Sequence, residues 1–454
     1  MIIEKPVAIV NAALSQGFKK PLTGFLHRAR ITGFLKTLVR FSLITIQERI
    51  ANMNEKRKKI LLTVLGVIGA LLLILGIGIF ALWHNEISTI SSIEKVRDRD
   101  DEHLDGSIYT MHVKGDFYLD DFVEQGGVSN DDELVQFVVD HLTKGLIDLE
   151  INNTQIGCSS FTATTEENDK LFARNYDFSK TNTCLVFTEA NPGRHASIST
   201  TDLQFLGLDV NKDVEGFVNK MTTLAAAYTP LDGMNDAGVS CGIYMTYQGG
   251  EKTVATDQQT DKPDFTSTTL LRLILDYADS VEEAVEIASS YDLHDSASTS
   301  YHYMVADSTG KSAILEWVGE TDETDNDGSK RELVVTYNDD DANIGELEGS
   351  TDYQVITNFV IQPEYYKNSA AEEKKGEDRY DKIYEELNNV NGVVKDEDAA
   401  MDILQIVGRR SWKNDDKNGC TVHSAVYNMT DKTVLWVPNE HFDDPDAVMS
   451  FSLK

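Results

Sequence analysis

The chain carries Ile-Gly-Cys-Ser-Ser-Phe at residues 156–161 and Phe-Ala-Arg-Asn-Tyr-Asp-Phe at residues 172–178. Both stretches have strand character, and the short connection between them predicts an antiparallel hairpin. Such a hairpin can place Arg174 and Asp177 beside the Cys158 thiol. A neighbouring cation favours the thiolate, which is the nucleophilic form of cysteine. The alternative interpretation is a buried structural cysteine next to an ordinary ion pair.

The predicted strands and helices follow one another in pairs along the chain, two strands or two helices at a time. The predicted helices cover residues 129–145, 214–227, 267–278, 280–291, 378–390 and 395–409. The predicted strands cover residues 171–176, 183–188, 239–247, 301–307, 312–318, 332–337, 353–358, 421–428 and 433–438. Consecutive strands favour antiparallel sheets covered by helices over a doubly wound parallel sheet. The sequence therefore predicts an α+β fold.

Charge is divided unevenly along the 454 residues. Residues 1–59 hold 12 Lys and Arg against 3 Asp and Glu, whereas residues 60–454 carry a net charge of −43. A body this acidic repels phosphate backbones and anionic lipid, which argues against nucleic-acid binding. An acidic enzyme is the default interpretation.

Residues 60–83 form a 24-residue stretch whose only polar side chain is Thr63. At about 1.5 Å per residue, this stretch is long enough to cross the roughly 30 Å core of a bilayer. Basic residues 56–59 precede it, so the positive-inside rule predicts a cytoplasmic N-terminus and an exterior body. We predict a single-pass membrane protein with an extracytoplasmic catalytic domain at a bacterial cell surface. A cleaved signal peptide is the alternative, although its apolar run is usually only about 7–15 residues long.

The N-terminal boundary has two interpretations. Met53 begins the run Met-Asn-Glu-Lys-Arg-Lys-Lys directly before the apolar stretch, which is a complete signal-anchor start. Either Met53 is the true start, or residues 1–59 form a basic cytoplasmic segment that lies on anionic lipid. Residues 84–107 are polar and predict a juxtamembrane stalk, so we expect folded structure to begin near Ser107.

Cysteine and histidine spacings point to no metal site. The four cysteines, Cys158, Cys184, Cys241 and Cys420, form no CxxC pair, and no zinc-type histidine spacing accompanies them. We interpret the ten histidines, His302 and His423 included, as structural or surface residues. The glycine-rich phosphate motifs are also missing, so we expect no cofactor.

The order of these residues resembles the choloylglycine hydrolase family, the linear-amide hydrolases that include bile salt hydrolases and penicillin V acylases. Cys158 followed by Arg174 and Asp177 within Arg-Asn-Tyr-Asp-Phe looks like the start of that family. Further similar segments follow in order: Asp-Gly-Met-Asn-Asp-Ala-Gly at 232–238, the strand pair at 300–316, Val-Ile-Thr-Asn-Phe at 355–359, Asp-Arg-Tyr at 378–380, the hairpin at 424–434, and 451–453. The resemblance covers about residues 157–454, and the segments together are far more specific than any one alone.

The resemblance implies the four-layer αββα sandwich of the N-terminal-nucleophile hydrolases. In that class the nucleophile is the first residue of the mature chain, because its own α-amino group, whose pKa is ordinarily about 7.7–8.0, serves as the base. Cys158 lies inside this chain, so the Gly157–Cys158 bond has to be cut, either by the Cys158 thiol attacking the Gly157 carbonyl or by a separate protease. Residues 84–157 would then be stalk and pro-segment, and residues 158–454 the catalytic domain.

The same resemblance implies a role for each site residue. Cys158 would attack the amide carbonyl and form a thioester, and Arg174 would favour its thiolate. Asp177 would orient the α-ammonium or the thiol. Asn358 would donate a hydrogen bond to the oxyanion, and Arg379 would support the charge network of the site.

One position departs from the family pattern. The family usually has an Asn or Tyr of the oxyanion hole where this chain has Met245, and a methionine side chain cannot donate a hydrogen bond. Tyr244 or Tyr247 could take that role, or a backbone N–H alone could suffice. Tyr244, Met245 and Tyr247 are therefore the predicted substrate-binding residues, and an inactive relative stays an alternative.

Three functions fit these features. The first is a membrane-tethered amidase that acts on a small-molecule acyl amide. The second is an acyltransferase on the same scaffold, similar to isopenicillin N acyltransferases, and the third is a surface module that binds an amide or lipid without turnover. The acyl group and the oligomeric state stay open, and the acidic body disfavours strongly anionic substrates unless Arg379 or another cation compensates.

Overall fold

The computed structural model describes residues 53–146, 157–248, 253–319, 328–339, 353–362, 365–368, 374–412 and 419–453. The chain divides into two compact units, Met1–Leu82 and Trp83–Lys454. The predictions for residues 1–52, for residues 147–156 before the expected cut, and for residues 249–252 lie outside the described residues.

The helices, numbered in chain order, have the following bounds. They are α1 Glu55–Ser91, α2 Leu119–Glu124, α3 Asp131–Val138, α4 Gly216–Thr222, α5 Ser267–Tyr277, α6 Val281–Ser290, α7 Tyr365–Asn368, α8 Glu377–Asn389, α9 Glu397–Ile406 and α10 Arg409–Trp412. A single π-helical turn, Val139–Thr143, extends α3.

The strands are numbered in the same way. They are β1 Glu94–Arg97, β2 Ile108–Val113, β3 Gly157–Thr165, β4 Lys170–Phe178, β5 Thr183–Thr188, β6 Ser197–Asp202, β7 Asp232–Asn235, β8 Ser240–Thr246, β9 Asp264–Thr266, β10 Asp292–His294, β11 Ser300–Ala306, β12 Ser312–Val318, β13 Glu332–Tyr337, β14 Val355–Ile356, β15 Val393–Val394, β16 Cys420–Asn428, β17 Thr433–Pro438 and β18 Met449–Ser452.

Helix α1 is the only helix of the described residues that is long and apolar enough to cross a membrane. Its 37 residues pass through a kink at Trp83, where φ is −127° and ψ is 22°. Beyond the kink the helix continues to Ser91, and Glu86, Thr89 and Ile90 are buried on one of its faces. Their spacing of one to three residues is helical, although the polar composition of the segment hides it.

Two large sheets contain most of the strands. The nine-stranded sheet has the order β1-β2-β5-β6-β7-β8-β11-β12-β13, and all its neighbours are antiparallel except the parallel pair β2 and β5. The seven-stranded sheet has the order β14-β3-β4-β16-β17-β18, with β15 also paired to β3. This mixed α/β architecture agrees with the predicted pairing of strands and helices.

Helices pack on both sheets, and the sheets meet near Cys158. Helix α5 contacts β7 and β8 of the larger sheet, whereas α9 contacts β4 and β16 of the smaller one. Strand β3 contacts β8, which brings the two sheets together. The hairpin of β3 and β4, which belongs to the seven-stranded sheet, therefore lies between the nine-stranded sheet and helix α9.

Folded structure begins earlier than the polar composition of residues 84–107 suggests. Strand β1 lies within that expected stalk and pairs with β2 at the edge of the larger sheet. Its sequence Glu-Lys-Val-Arg is mostly exposed, so it lacks the hydrophobic alternation by which a strand is recognised. The described part of the segment before Cys158 is thus built into the fold rather than separate from it.

Candidate active site

Cys158 is the second residue of β3 and lies opposite Tyr176 in β4. Opposite residues of an antiparallel pair share a face, and so do residues two apart in a strand. Arg174, which lies opposite Ser160, is therefore on the same face as Cys158. The hairpin predicted from the sequence brings the thiol and the guanidinium together for this geometric reason.

Arg174 is completely buried and contacts the thiol directly. Its Nη2 lies 3.5 Å from the Cys158 Sγ and donates to the Ile243 backbone oxygen at 2.7 Å. Its guanidinium also stacks on the Tyr244 ring at 4.4 Å from the centroid. These contacts fix a positive charge beside the sulfur.

A buried carboxylate holds Arg174 from the other side. Arg174 Nε lies 2.8 Å from Asp232 Oδ2, and both side chains have no exposed surface. His423 Nε2 lies 2.8 Å from the same oxygen, and the Tyr427 hydroxyl donates to Asp232 Oδ1. Burial alone would raise the pKa of Asp232, but His423 and Arg174 outweigh it and lower this pKa to about 2.

Asn358 contacts the backbone nitrogen of the candidate nucleophile. Its Oδ1 accepts a hydrogen bond from the Cys158 N–H at 3.0 Å and a second from Arg379 Nη2 at 2.8 Å. Its Nδ2 donates to the Met245 backbone oxygen at 2.8 Å. The amide nitrogen carries two hydrogens, so one remains for a further acceptor.

Arg379 links the main chain of Cys158 to the carboxylate of Asp177. Its Nη1 donates to the Cys158 backbone oxygen at 2.9 Å and to Asp177 Oδ2 at 3.0 Å. Asp177 Oδ1 accepts from the Thr421 hydroxyl at 2.6 Å. Asp177 is an odd number of residues from Arg174 and so lies on the opposite face of β4. It therefore reaches Cys158 through Arg379 rather than beside Arg174.

The thiol of Cys158 is neutral at physiological pH while the Gly157–Cys158 bond is intact. Burial raises its pKa to about 11, and the charge of Arg174 acts in the opposite direction. The sulfur must therefore give up its proton to another group as it attacks.

Gly157 lies opposite Asp177 in the register of β3 and β4. A Cβ at this position would come within 3.2 Å of Asp177 Cβ and within 3.3 Å of Arg409 Nη1. The residue before the expected cut is thus held close to the charged groups of the site, where a larger side chain would displace its neighbours.

The three predicted substrate-binding residues have different environments. Tyr244 is fully buried, and its hydroxyl donates to Ser160 Oγ at 2.5 Å. Met245 is also buried, and its backbone oxygen rather than its side chain contacts Asn358. Tyr247 is only partly buried, with the Lys375 Nζ 5.9 Å from its ring centroid. A role for these residues in binding substrate stays a prediction.

Two histidines interpreted as structural or surface residues from the sequence lie directly behind the site. His423 contacts Asp232, as described above. His302 lies 2.8 Å from Glu316 Oε1 through Nδ1 and 3.0 Å from the Thr357 backbone oxygen through Nε2. His302 thereby fixes the residue that precedes Asn358.

The contacts of Asp232 predict how stability depends on pH. Because its folded pKa is about 2 against a reference of 3.8, its contribution is complete above pH 4 and is lost as the pH falls towards 2. We expect Asp232→Asn to lower the free energy of unfolding at neutral pH by at least about 2 kcal/mol and to flatten its slope across this acid range. Urea unfolding at several pH values measures both effects.

The partly exposed pair of Arg97 and Asp444 supplies the control for this prediction. Arg97 Nη2 lies 3.2 Å from Asp444 Oδ2, and both side chains reach solvent, so Asp444→Asn should change stability only slightly. An unchanged acid slope in Asp232→Asn would contradict the assignment of the buried charge.

Within the described residues, no group of His, Cys, Asp and Glu is arranged to hold a metal ion. The groups described around Cys158 are a thiol, two arginines, an amide and two carboxylates.

A sequence model of the linear amide C–N hydrolases of the choloylglycine hydrolase family matches residues 158–322, which is less than half of the chain. The match begins at Cys158 and includes Arg174 and Asp177, while Asn358 and Arg379 lie beyond it. It supports the hydrolysis of linear amide C–N bonds. A search of curated proteins finds no match.

Solved structures with a related arrangement are distant in sequence. A variant of the conjugated bile acid hydrolase from Clostridium perfringens is 14% identical, covering 65% of this chain and 92% of its own, with a TM-score of 0.43. Penicillin V acylase from Agrobacterium tumefaciens is 17% identical, covering 62% and 83%, with a TM-score of 0.39. The N-acylethanolamine-hydrolyzing acid amidase ortholog of Caenorhabditis elegans is 15% identical, covering 65% and 100%, with a TM-score of 0.37.

Proposed function

We propose that this chain hydrolyses linear acyl amides with Cys158 as an N-terminal nucleophile, after the Gly157–Cys158 bond has been cut. The observation that carries the proposal is the set of contacts that the backbone and the sulfur of Cys158 make with other side chains. Its N–H donates to Asn358 Oδ1, its carbonyl oxygen accepts from Arg379, and its sulfur contacts Arg174. A structural cysteine in a strand needs none of these side-chain partners for its main chain.

The first step forms the mature enzyme. The Cys158 thiol attacks the Gly157 carbonyl, the C–N bond breaks as the Cys158 nitrogen takes a proton, and water then hydrolyses the resulting thioester. The products are a carboxylate at Gly157 and a free α-amine on Cys158. A separate protease that cuts the same bond would give the same two ends.

The second step uses the new amine as the missing base. An α-amine has a pKa of about 7.7–8.0, so at working pH it can take the thiol proton and later give it to the leaving amine. The amine forms at the nitrogen that already faces Asn358 Oδ1, which keeps it in place. Arg174 stabilises the thiolate that attacks the substrate carbonyl.

Asn358 stabilises the oxyanion in this mechanism. Arg379 and the Met245 backbone oxygen fix the orientation of its side-chain amide, so the remaining hydrogen on Nδ2 is preorganised for an acceptor. The methionine at position 245 is then no obstacle, because its contribution is made by the main chain.

Fold and location complete the proposal. The packing of α5 and α9 on opposite sheets supports the four-layer αββα sandwich expected from the resemblance. The basic residues 56–59, at the start of α1 and directly before its apolar stretch, support a membrane anchor with a cytoplasmic N-terminus, and the catalytic body then lies outside the cytoplasm, at a bacterial surface.

A panel of N-acyl amides tests the reaction class, with amine release as the readout. We expect the processed wild type to hydrolyse at least one of them and Asn358→Ala to lower kcat by about 10²–10³-fold, the usual cost of one oxyanion donor. Asn389→Ala changes an exposed asparagine at the end of α8 and should leave kcat unchanged. Equal activity in both variants would remove Asn358 from the mechanism.

A further inference from the structure

We propose that the segment upstream of Cys158 stays bound after cleavage, as a permanent subunit that completes the larger sheet and keeps the catalytic body at the membrane. This inference rests on the proposed function, because only the cut at Gly157–Cys158 creates two chains. The alternative is release of the catalytic body from its anchor.

Strand β2 of the upstream segment is an inner strand of the nine-stranded sheet. It pairs in parallel with β5 over six residues, from Ile108 opposite Thr183 to Val113 opposite Thr188. Five of its six residues are buried. Its loss would leave the main-chain groups of β5 that face β2 without partners, which is the condition that sheets avoid at their edges.

The upstream segment also supplies a large share of the hydrophobic core. Between β2 and Cys158, its fully or nearly buried apolar side chains are Phe117, Leu119, Phe122, Val128, Leu134, Phe137, Val138 and Leu142. Phe117, Phe122 and Phe137 surround Tyr228 with ring centroids 5.6–5.9 Å away. The Tyr228 hydroxyl donates to the Phe117 backbone oxygen at 2.7 Å. Such an interface resembles a domain core rather than a transient contact.

Two glycines show how closely the upstream main chain is fitted to the rest. A Cβ on Gly106 would lie 1.4 Å from the Thr181 backbone oxygen, and one on Gly127 would lie 1.8 Å from that of Asp264. Gly127 also has a φ of +76°, which suits glycine. Backbone packed this tightly against backbone separates only when the surrounding structure opens.

Buried polar contacts tie the same segment to the C-terminal part of the chain. Asp105 is 2% exposed and contacts His441 and Arg410 of the downstream part, the latter at 3.6 Å. If the upstream piece left, Arg410 would lose this carboxylate. The contact therefore favours retention.

The Asp105 contact also leads to the site. Arg410 Nε donates to Glu440 Oε2 at 2.7 Å, and the same oxygen accepts from the Thr421 N–H at 3.1 Å. The Thr421 hydroxyl in turn contacts Asp177. Asp105 is thus linked through Arg410 and Glu440 to Thr421, which contacts the proposed active-site carboxylate of Asp177. The retained subunit would therefore support activity as well as keep the enzyme at the membrane.

The test uses the full chain in membranes, tagged at its N-terminus. After processing, the membranes are washed at high salt and solubilised in a non-denaturing detergent, and the tag is captured. We expect two chains on a denaturing gel and nearly all of the downstream chain in the captured fraction. Cleavage with the downstream chain in the wash would overturn the inference and leave the proposed function intact. An uncut, folded chain would overturn both.

Neighbouring residues of β2 provide matched variants. Met111 is fully buried and His112 is exposed. A charge in the core is costly, so Met111→Asp should increase release of the downstream chain by at least about tenfold, while His112→Asp should not. Met111→Ala covers the case in which Met111→Asp fails to fold, since its cut chains should separate at a lower urea concentration than those of the wild type. Equal release from all these variants and the wild type would contradict the role of β2.

Discussion

We expect the replacement of Cys158 by alanine to abolish both cleavage after Gly157 and amide hydrolysis. The substitution removes the one sulfur that lies 3.5 Å from Arg174 and whose main chain is held by Asn358 and Arg379. Loss of a covalent nucleophile costs on the order of 10⁶-fold in kcat in a well-studied serine protease. We expect a similar loss here, together with a chain that stays at its full length.

Cys184→Ala is the matched control for this substitution. Cys184 is also a buried, unpaired cysteine, so the two variants lose the same atoms from the interior. Processing and kcat should be unchanged in Cys184→Ala. Both are measured by gel and by amine release on the same preparation. Residual hydrolysis in Cys158→Ala at the wild-type rate would show that another group is the nucleophile.

We expect the replacement of Arg174 by methionine both to destabilise the fold and to suppress amide hydrolysis. The variant leaves Asp232 ionised and fully buried without its guanidinium partner, which typically costs about 3–5 kcal/mol. It also removes the charge that opposes the raised pKa of Cys158, so this pKa should rise further. Urea unfolding measures the first effect, and the pH dependence of thiol alkylation in the uncut chain measures the second.

A double variant separates these two effects. When both members of a buried ion pair are replaced by apolar residues, stability is often recovered. We therefore expect Arg174→Met with Asp232→Leu to unfold at a higher urea concentration than Arg174→Met alone, with activity still lost. Recovery of activity in the double variant would show that Arg174 acts only through stability.

The hairpin of β3 and β4 and most paired strands could be predicted from the sequence. Their residues alternate over short distances, and the contacts of Cys158 with Arg174 follow from the pairing of adjacent strands. The helices 267–278 and 280–291 were predicted within one residue of the observed α5 and α6. Local periodicity suffices for such elements.

The network behind Arg174 could not be predicted in the same way. Asp232 and His423 are separated by 191 residues, and only the packing of the two sheets brings Asp232 into contact with both His423 and Arg174. The available signal was an aspartate beside a predicted inner strand, since a buried carboxylate needs a partner. The sequence does not indicate which partner.

The burial of charged residues in the upstream segment could not be predicted from the sequence either. Residues 84–107 have a polar composition typical of an exposed stalk, yet Glu86 and Asp105 are buried because each has a partner in the folded unit, Tyr118 for the first and His441 for the second. Composition cannot distinguish a solvated charge from a paired one. The orientation of Asp177 away from Arg174 is a simpler case, because strand alternation alone would have indicated it.

The N-terminus of the downstream chain tests the central claim most directly. The full chain is expressed in membranes, and the downstream product is analysed by N-terminal sequencing and intact mass. We predict a chain that begins with Cys158 and carries a free α-amine. A folded chain that hydrolyses acyl amides while its Gly157–Cys158 bond is intact, or a product that begins at another residue, would contradict it.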